Sequence, residues 1–231
     1  MYKRITKMIS TASLIFMPTF ALANEGGSGF FVGINMGYSI SFIKSIATEQ
    51  QQSTTTNSTF APQYINIGVQ LGYNYYLMDF LGLRGYVDYN YGFKYNQAQS
   101  IESQQTTNTS VLEAAHTFSA NLDMLFNIFS SDSIVFGAYA GIGLGYSTMS
   151  IMNKANEQGV ITNTTTQQGN GFILPINLGL SLTANEHHRF ELGFKIPTLG
   201  ITYTPPTTQG ENQPKTITRN FTTTIGYSYI F

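Results

Sequence analysis

Eight stretches of this chain alternate apolar with small polar residues at a period of two, and nothing else in it constrains the fold as much. Successive side chains of an extended strand point to opposite faces, so such a pattern makes one apolar and one polar face. The first stretch sets Phe30, Val32, Ile34, Met36, Tyr38, Ile40 and Phe42 against Gly33, Asn35, Gly37, Ser39 and Ser41. The second runs from Ile65 through Val69 and Leu71 to Tyr75, and the third from Leu83 through Val87 and Tyr91 to Tyr95. Phe118 to Phe126, Ile134 to Tyr146, Phe172 to Leu182, Phe190 to Ile196 and Phe221 to Phe231 complete the set. The polar phase is mostly Gly, Ser, Asn and Thr. A soluble two-layer sandwich also alternates, but its outer faces would carry charge.

Composition favours a wall in lipid over a surface in water. Only 10% of residues are charged, against roughly 25% in a soluble domain. An apolar outer face and a small-residue polar interior suit a narrow closed barrel. Closure removes the sheet edges and satisfies the backbone groups inside a bilayer. Eight is an even count, as bacterial single-chain barrels have. The expected fold is therefore all-β, an eight-stranded antiparallel transmembrane barrel over residues 24–231. Cysteine is absent, which excludes disulfides and thiolate metal sites.

The N-terminus sets the compartment. Lys3, Arg4 and Lys7 precede an apolar stretch, Met8 to Leu22, which closes on Ala21-Leu-Ala23. That is the pattern of a secretory signal peptide over residues 1–23. The apolar stretch is short for a spanning helix and contains Pro18. Past residue 23, eight basic residues face twelve acidic ones, a net charge of −4. A nucleic-acid partner would favour a basic surface, so none is expected.

The connections alternate in length. Short turns are expected near Met78-Asp79, Ser130–Ser133 and Asn185–His188. Long loops rich in Thr, Gln, Asn and Ser are expected at about 44–62, 96–111, 149–170 and 203–218. Barrels keep short turns on the periplasmic side and long loops outside. A hairpin hidden in a long loop, for example within 44–62, would raise the count to ten. Tyr38, Tyr75, Tyr91, Tyr146 and Tyr227 are expected in the aromatic belts at the membrane interfaces. The alternating Tyr227, Tyr229 and terminal Phe231 look like the C-terminal signature read by the barrel assembly machinery. Pro175, in mid-strand, marks a bulge or bend. The Asn-x-Ser/Thr matches at Asn57, Asn108 and Asn163 are chance products of a Thr- and Asn-rich composition.

Three stretches, Phe80-Leu-Gly-Leu-Arg-Gly-Tyr-Val-Asp-Tyr89, Asp123-Met-Leu-Phe-Asn-Ile128 and Arg189-Phe-Glu-Leu-Gly-Phe-Lys-Ile-Pro197, resemble the Helicobacter-type outer membrane protein family of porin-like and adhesin barrels. The resemblance covers roughly residues 65–231. It implies an outer membrane location, surface exposure and contact with a host surface ligand; outer membrane lipids and lipopolysaccharide are expected partners of the barrel and its loops. The large extracellular domain and the loop cysteine pairs of the adhesin members are absent, so adhesion does not simply carry over.

Arg84, Asp88, Lys94, Asp123, Arg189, Glu191 and Lys195 fall on the lumen phase. Isolated buried charges are costly, so these are expected to pair or to be hydrated. They form either an ion-pair network that fills the barrel or a narrow pore that selects by charge. An enzyme is the weaker class. Glu113, His116 and Ser119 lie near one end of the fourth stretch, but His116 and Ser119 point to opposite faces. His187 and His188 sit in a turn, without the carboxylates that would complete a metal site. No cofactor, metal or catalytic residue is expected. Two roles remain open: a structural or surface-interaction protein acting through its loops, and a small pore for ions or solutes.

Overall fold

A computed structural model describes residues 28–49, 52–102, 105–157, 160–203 and 215–231. The expected signal peptide, residues 1–23, lies outside the described residues. Every element among the described residues is a strand: β1 (Gly29–Glu49), β2 (Gln52–Met78), β3 (Leu81–Glu102), β4 (Gln105–Ser130), β5 (Ile134–Glu157), β6 (Val160–Ile173), β7 (Pro175–Ala184), β8 (His188–Pro197), β9 (Ile201–Tyr203) and β10 (Lys215–Ile230).

All ten strands join one antiparallel sheet, and β1 pairs with β10 from Phe31↔Ile230 to Ile46↔Lys215, so the sheet closes on itself. Two pairs of strands are pieces of single walls. β6 and β7 both pair with β5, in one continuous register, Gly145↔Ile173 leading to Ile142↔Ile176. β8 and β9 both pair with β10, with two residues gained between Thr222↔Lys195 and Thr218↔Ile201. The ring therefore has eight walls. Prolines mark both breaks. Pro175 stands opposite Pro197, and a proline has no N–H to give to the ladder. Thr198 closes the gap by donating its backbone N–H (3.1 Å) and its hydroxyl (2.6 Å) to the Leu174 carbonyl.

The alternation places the faces as expected. Phe30, Ile34, Val69, Leu71, Leu122, Ile142, Leu178 and Ile225 stand exposed on the outer wall. Asn35, Gln70, Asp88, Ser119, Asn177 and Ser228 face inward. At one end the connections are tight, and Asn185 and Glu186 both take positive φ (50° and 64°) in the β7–β8 turn.

The other end departs from expectation. The stretches 44–62, 96–111 and 149–170, read as loops, are for the most part paired strand. Lys44↔Asn57 to Glu49↔Gln52, Asn96↔Val111 to Glu102↔Gln105 and Met149↔Gly169 to Glu157↔Val160 continue the walls upward. β2 reaches 27 residues and β4 reaches 26, where about 9–11 cross a bilayer. The 44–62 stretch is a hairpin, but it is built by extending β1 and β2 and adds no wall, which settles the count at eight. Of the fourth stretch, 203–218, only Tyr203 and residues 215–218 are described, and they are strand.

The chain has no tryptophan, so single introduced indoles report each face cleanly. In vesicles of brominated lipid, the fluorescence of Leu71→Trp is expected to be strongly quenched and that of Tyr86→Trp to be spared. Equal quenching of both would reverse the assignment of faces.

Candidate functional site: a buried charge network in the lumen

The site is built from inward positions of five walls. Arg84 is 2% exposed and Asp123 0%. They face each other across β3 and β4 in direct register. Arg84 donates through Nη2 (2.6 Å) and Nε (3.2 Å) to Asp123 Oδ2, and through Nη1 to Glu191 on β8. Glu191 also accepts from Arg189 Nε at 3.0 Å and from Gln70 Nε2 at 3.4 Å. Asn177 on β7 donates to Asp123 Oδ1 at 3.1 Å and to Asn121 at 3.0 Å. The guanidinium thus answers two carboxylates, and their remaining lone pairs find side-chain donors. Such full satisfaction is what makes buried charge tolerable.

Aromatic rings complete the enclosure. The Arg84 guanidinium carbon lies 4.8 Å from the Tyr86 ring centre and 4.5 Å from that of Tyr139, close enough for attraction by the ring faces. Tyr139 lies across the neighbouring walls, over its register partner Gly179 on β7 and the paired Gly193 on β8, which leave it room. A Cβ on Gly179 would come within 2.3 Å of the tyrosine ring, and one on Gly193 within 2.6 Å of its hydroxyl.

Two further ion pairs sit nearer the long-hairpin end. Asp88 pairs with Lys195 and accepts from Ser119 Oγ at 2.6 Å and Asn121 Nδ2 at 3.3 Å. Lys94 Nζ lies 3.5 Å from Glu113 Oε1, and Glu113 also accepts from the Tyr64 hydroxyl. The seven lumen charges expected from sequence therefore all lie in pairs, with Glu113 as the eighth member. Glu113 sits at an odd position of β4, in phase with Asp123. In the sequence it stands out only beside His116 and Ser119 and not as a lumen charge, because it lies above the stretch where apolar alternation is clear.

Large apolar side chains on the inner face are a second omission. Phe31, Leu125 and Ile230 are 1–3% exposed and close the short-turn end beneath Arg84. Each continues the inward phase of its own strand but stands between two apolar wall residues, which hide it in the sequence. Cavities lie on either side of this layer. One of about 70 Å³ is lined by Asn66, Thr117, Ser147, Lys195 and Thr222. Another of about 300 Å³ opens among Tyr76, Asp132, Thr183 and Glu186. Between them a void of about 20 Å³ touches Arg84, Tyr86 and Glu191, about the room of one water.

The Glu113, His116, Ser119 set does not assemble. Ser119 is committed to Asp88 inside. The His116 Nδ1 meets the Tyr89 hydroxyl at 2.8 Å on the exposed face. His187 Nδ1 lies 2.7 Å from the Ile230 carbonyl, and His188 Nδ1 lies 2.9 Å from the Tyr227 hydroxyl. Tyr38, Tyr75, Tyr91, Tyr146, Tyr229 and Phe231 are exposed on the outer wall, and Tyr227 is half-buried there among Phe190 and His188.

The sequence model described as "Helicobacter outer membrane protein" matches residues 68–231, well over half of the chain. The chain belongs to that family. It is an outer membrane β-barrel protein, and the stretches Phe80–Tyr89, Asp123–Ile128 and Arg189–Pro197 all fall within the matched region. Among curated proteins no match is found. Solved structures similar to this family member include Ail, the attachment invasion locus protein of Yersinia pestis, at 14% identity and TM-score 0.35, covering 90% of this chain and 100% of that one. Neisserial surface protein A is similar at 15% identity and TM-score 0.40, with 90% and 100% covered. OprG from Pseudomonas aeruginosa is similar at 15% and 0.46, with 89% and 97% covered. At these values nothing of what those proteins do carries over.

Replacing Arg84 by Met leaves Asp123 and Glu191 buried without their shared cation. The expected loss is about 3–5 kcal/mol in urea unfolding from vesicles. Lys94→Met strands a single carboxylate, Glu113, which keeps the Tyr64 hydroxyl as donor, and should cost less than Arg84→Met. A smaller loss for Arg84→Met than for Lys94→Met would show that the Arg84 network is not the stabilising centre.

Proposed function

We propose that this outer membrane protein is a closed barrel serving a structural or surface-interaction role, with its long hairpins as the part that meets partners. The observation that carries this reading is the filled cross-section at Arg84. Two arginines, two carboxylates and two tyrosines occupy the lumen there, and the void left at that level, about 20 Å³, has room for about one water. A conducting path needs a continuous column of water or coordinating groups, with sites weak enough to leave. Here every charge is already taken by a neighbour.

The orientation follows the rule for bacterial barrels, with tight turns in the periplasm and long connections outside. The hairpins β1–β2, β3–β4 and β5–β6 then stand above the outer leaflet as paired ribbons. They are rich in Thr, Gln and Asn, which offer hydrogen bonds to a sugar or peptide partner. No catalytic role is assigned, because the one serine–histidine pair is split between the two faces of the wall. Export through the N-terminal signal and delivery to the barrel assembly machinery through Tyr227, Tyr229 and Phe231 belong to the same reading.

Planar-bilayer recording of the folded protein tests the closed lumen. Silence is expected from the wild type, and intermittent openings from Arg84→Ala/Tyr139→Ala, which empties the narrowest level. Stable, discrete open levels in the wild type would overturn the closed reading and establish a small pore.

A further inference from the structure

On the hairpin side of the Arg84 level the lumen changes character along two adjacent walls. Ile173 and Pro175 on one, and Pro197, Leu199 and Ile201 on the other, all line the cavity of about 70 Å³. The rest of its lining is mostly polar, and those groups largely bond one another. Ser39 Oγ lies 2.6 Å from Thr222 Oγ1 and accepts from Asn66 Nδ2 at 2.6 Å, and Thr117 Oγ1 lies 2.8 Å from Ser147 Oγ. Lys195 is held by Asp88. Thr218 is different. It lines the cavity, it is 2% exposed, and its hydroxyl has no hydrogen-bond partner among the described residues. A buried hydroxyl without a partner is costly, and apolar side chains beside open space forgo dispersion contacts. Both costs fall on one cavity.

The cavity has a mouth in the side of the barrel. Between Thr222↔Lys195 and Thr218↔Ile201 the β8–β9 wall runs through residues 196–200, while β10 runs only through 219–221. Such an excess takes backbone out of the ladder and bends the wall. Leu199 stands in this bulge. It is 47% exposed, whereas every other lining residue is buried or half-buried. The cavity therefore meets the outside at Leu199. Toward the hairpins it is closed by Tyr64, Met149 and Ile201, each at most 5% exposed. About 11 residues of tilted strand cross the hydrocarbon, and counted from Phe231 along β10 they end at Phe221. Phe221 meets Phe42 edge-on, 4.8 Å between ring centres, as an interfacial aromatic pair would. The mouth thus opens at the edge of the hydrocarbon, where the headgroups begin.

We propose that this cavity binds a small uncharged amphiphile, a short aliphatic chain ended by a hydroxyl, which enters from the membrane edge past Leu199. The size follows from the space. One water needs roughly 10–15 Å³, so the cavity holds about five or six groups of that size, the bulk of an alcohol of about four or five carbons. The chain lies against Pro175, Pro197 and Leu199, and its oxygen meets the Thr218 hydroxyl. Neither sign of charge fits, because Asp88 already answers Lys195 and a further ion would be buried without a counter-charge. Molecules with one apolar and one wet end gather at the membrane edge for the reason that aromatic belts do. The site does not depend on which way the hairpins face, and it leaves the Arg84 level beneath it closed.

The test titrates pentanol into the folded protein in phospholipid nanodiscs, with the isoleucine and leucine methyl groups labelled for NMR. Shifts at Ile173, Leu199 and Ile201 are expected to saturate. Leu178 and Ile225 on the outer wall should drift in proportion to the alcohol dissolved in the lipid. Thr218→Val keeps the shape and removes the hydroxyl, so pentanol should bind about five- to tenfold more weakly, while pentane binds the two proteins alike. Ser147→Leu fills the cavity from its polar side and should abolish saturation by both. If Ser147→Leu does not fold, as judged by mobility on unboiled gels, Thr218→Val decides alone. Shifts at Ile173, Leu199 and Ile201 that never saturate would overturn the site. Equal pentanol affinity in Thr218→Val would overturn the hydroxyl contact, and pentanoate or pentylammonium binding as tightly as pentanol would overturn the uncharged ligand.

Discussion

The Arg84 guanidinium, shared between Asp123 and Glu191, is the contact on which the interior of this barrel depends. A barrel in lipid gains little from an apolar interior, because its outer wall already meets an apolar solvent. Its inner face must satisfy polar groups on every wall at once. Arg84 does so from β3 by reaching β4 and β8, and through Glu191 it engages Arg189 and Gln70. Opposite walls are thus tied through the lumen as well as around the ladder. Removing a cation from such a network strands the carboxylates it serves.

Packing follows from that centre. Tyr86 and Tyr139 lie against the guanidinium, and Tyr139 fits only because β7 and β8 present glycines where it meets them. Beneath, Phe31, Leu125 and Ile230 close the layer with side chains that need no partners. The prolines at 175 and 197 sit side by side where the walls are broken, and a threonine restores the missing backbone contact. A filled, charge-neutral lumen and an irregular wall are different solutions to the same problem of satisfying the backbone and side chains without water.

Much of this was legible in the sequence, and what was missed has physical reasons. The period of two gave the eight walls, the lumen phase of Arg84, Asp88, Lys94, Asp123, Arg189, Glu191 and Lys195, and the outward tyrosines. The alternation needs one face in lipid, so it fades where both faces are wet. There Thr, Gln and Asn occupy both phases, and residues 44–62, 96–111 and 149–170 read as loops although Thr-rich sequence favours strand. The lumen role of Glu113, which the sequence offered only beside His116 and Ser119, was hidden in the same zone. Phe31, Leu125 and Ile230 were missed for the opposite reason, since an apolar residue beside an apolar wall residue blurs the pattern that defines the faces. Which carboxylate each cation would choose depends on cross-strand and cross-lumen neighbours, and only closure of the ring brings Glu191 to Arg84.

The central claim is that Arg84 and Glu191 are energetically coupled across the lumen. A double-mutant cycle of Arg84→Met and Glu191→Leu, read by urea unfolding from vesicles, measures that coupling directly. A coupling of about 2–3 kcal/mol is expected for a buried, shared charge. A value below about 0.5 kcal/mol, the level at which distant sites simply add, would contradict the account.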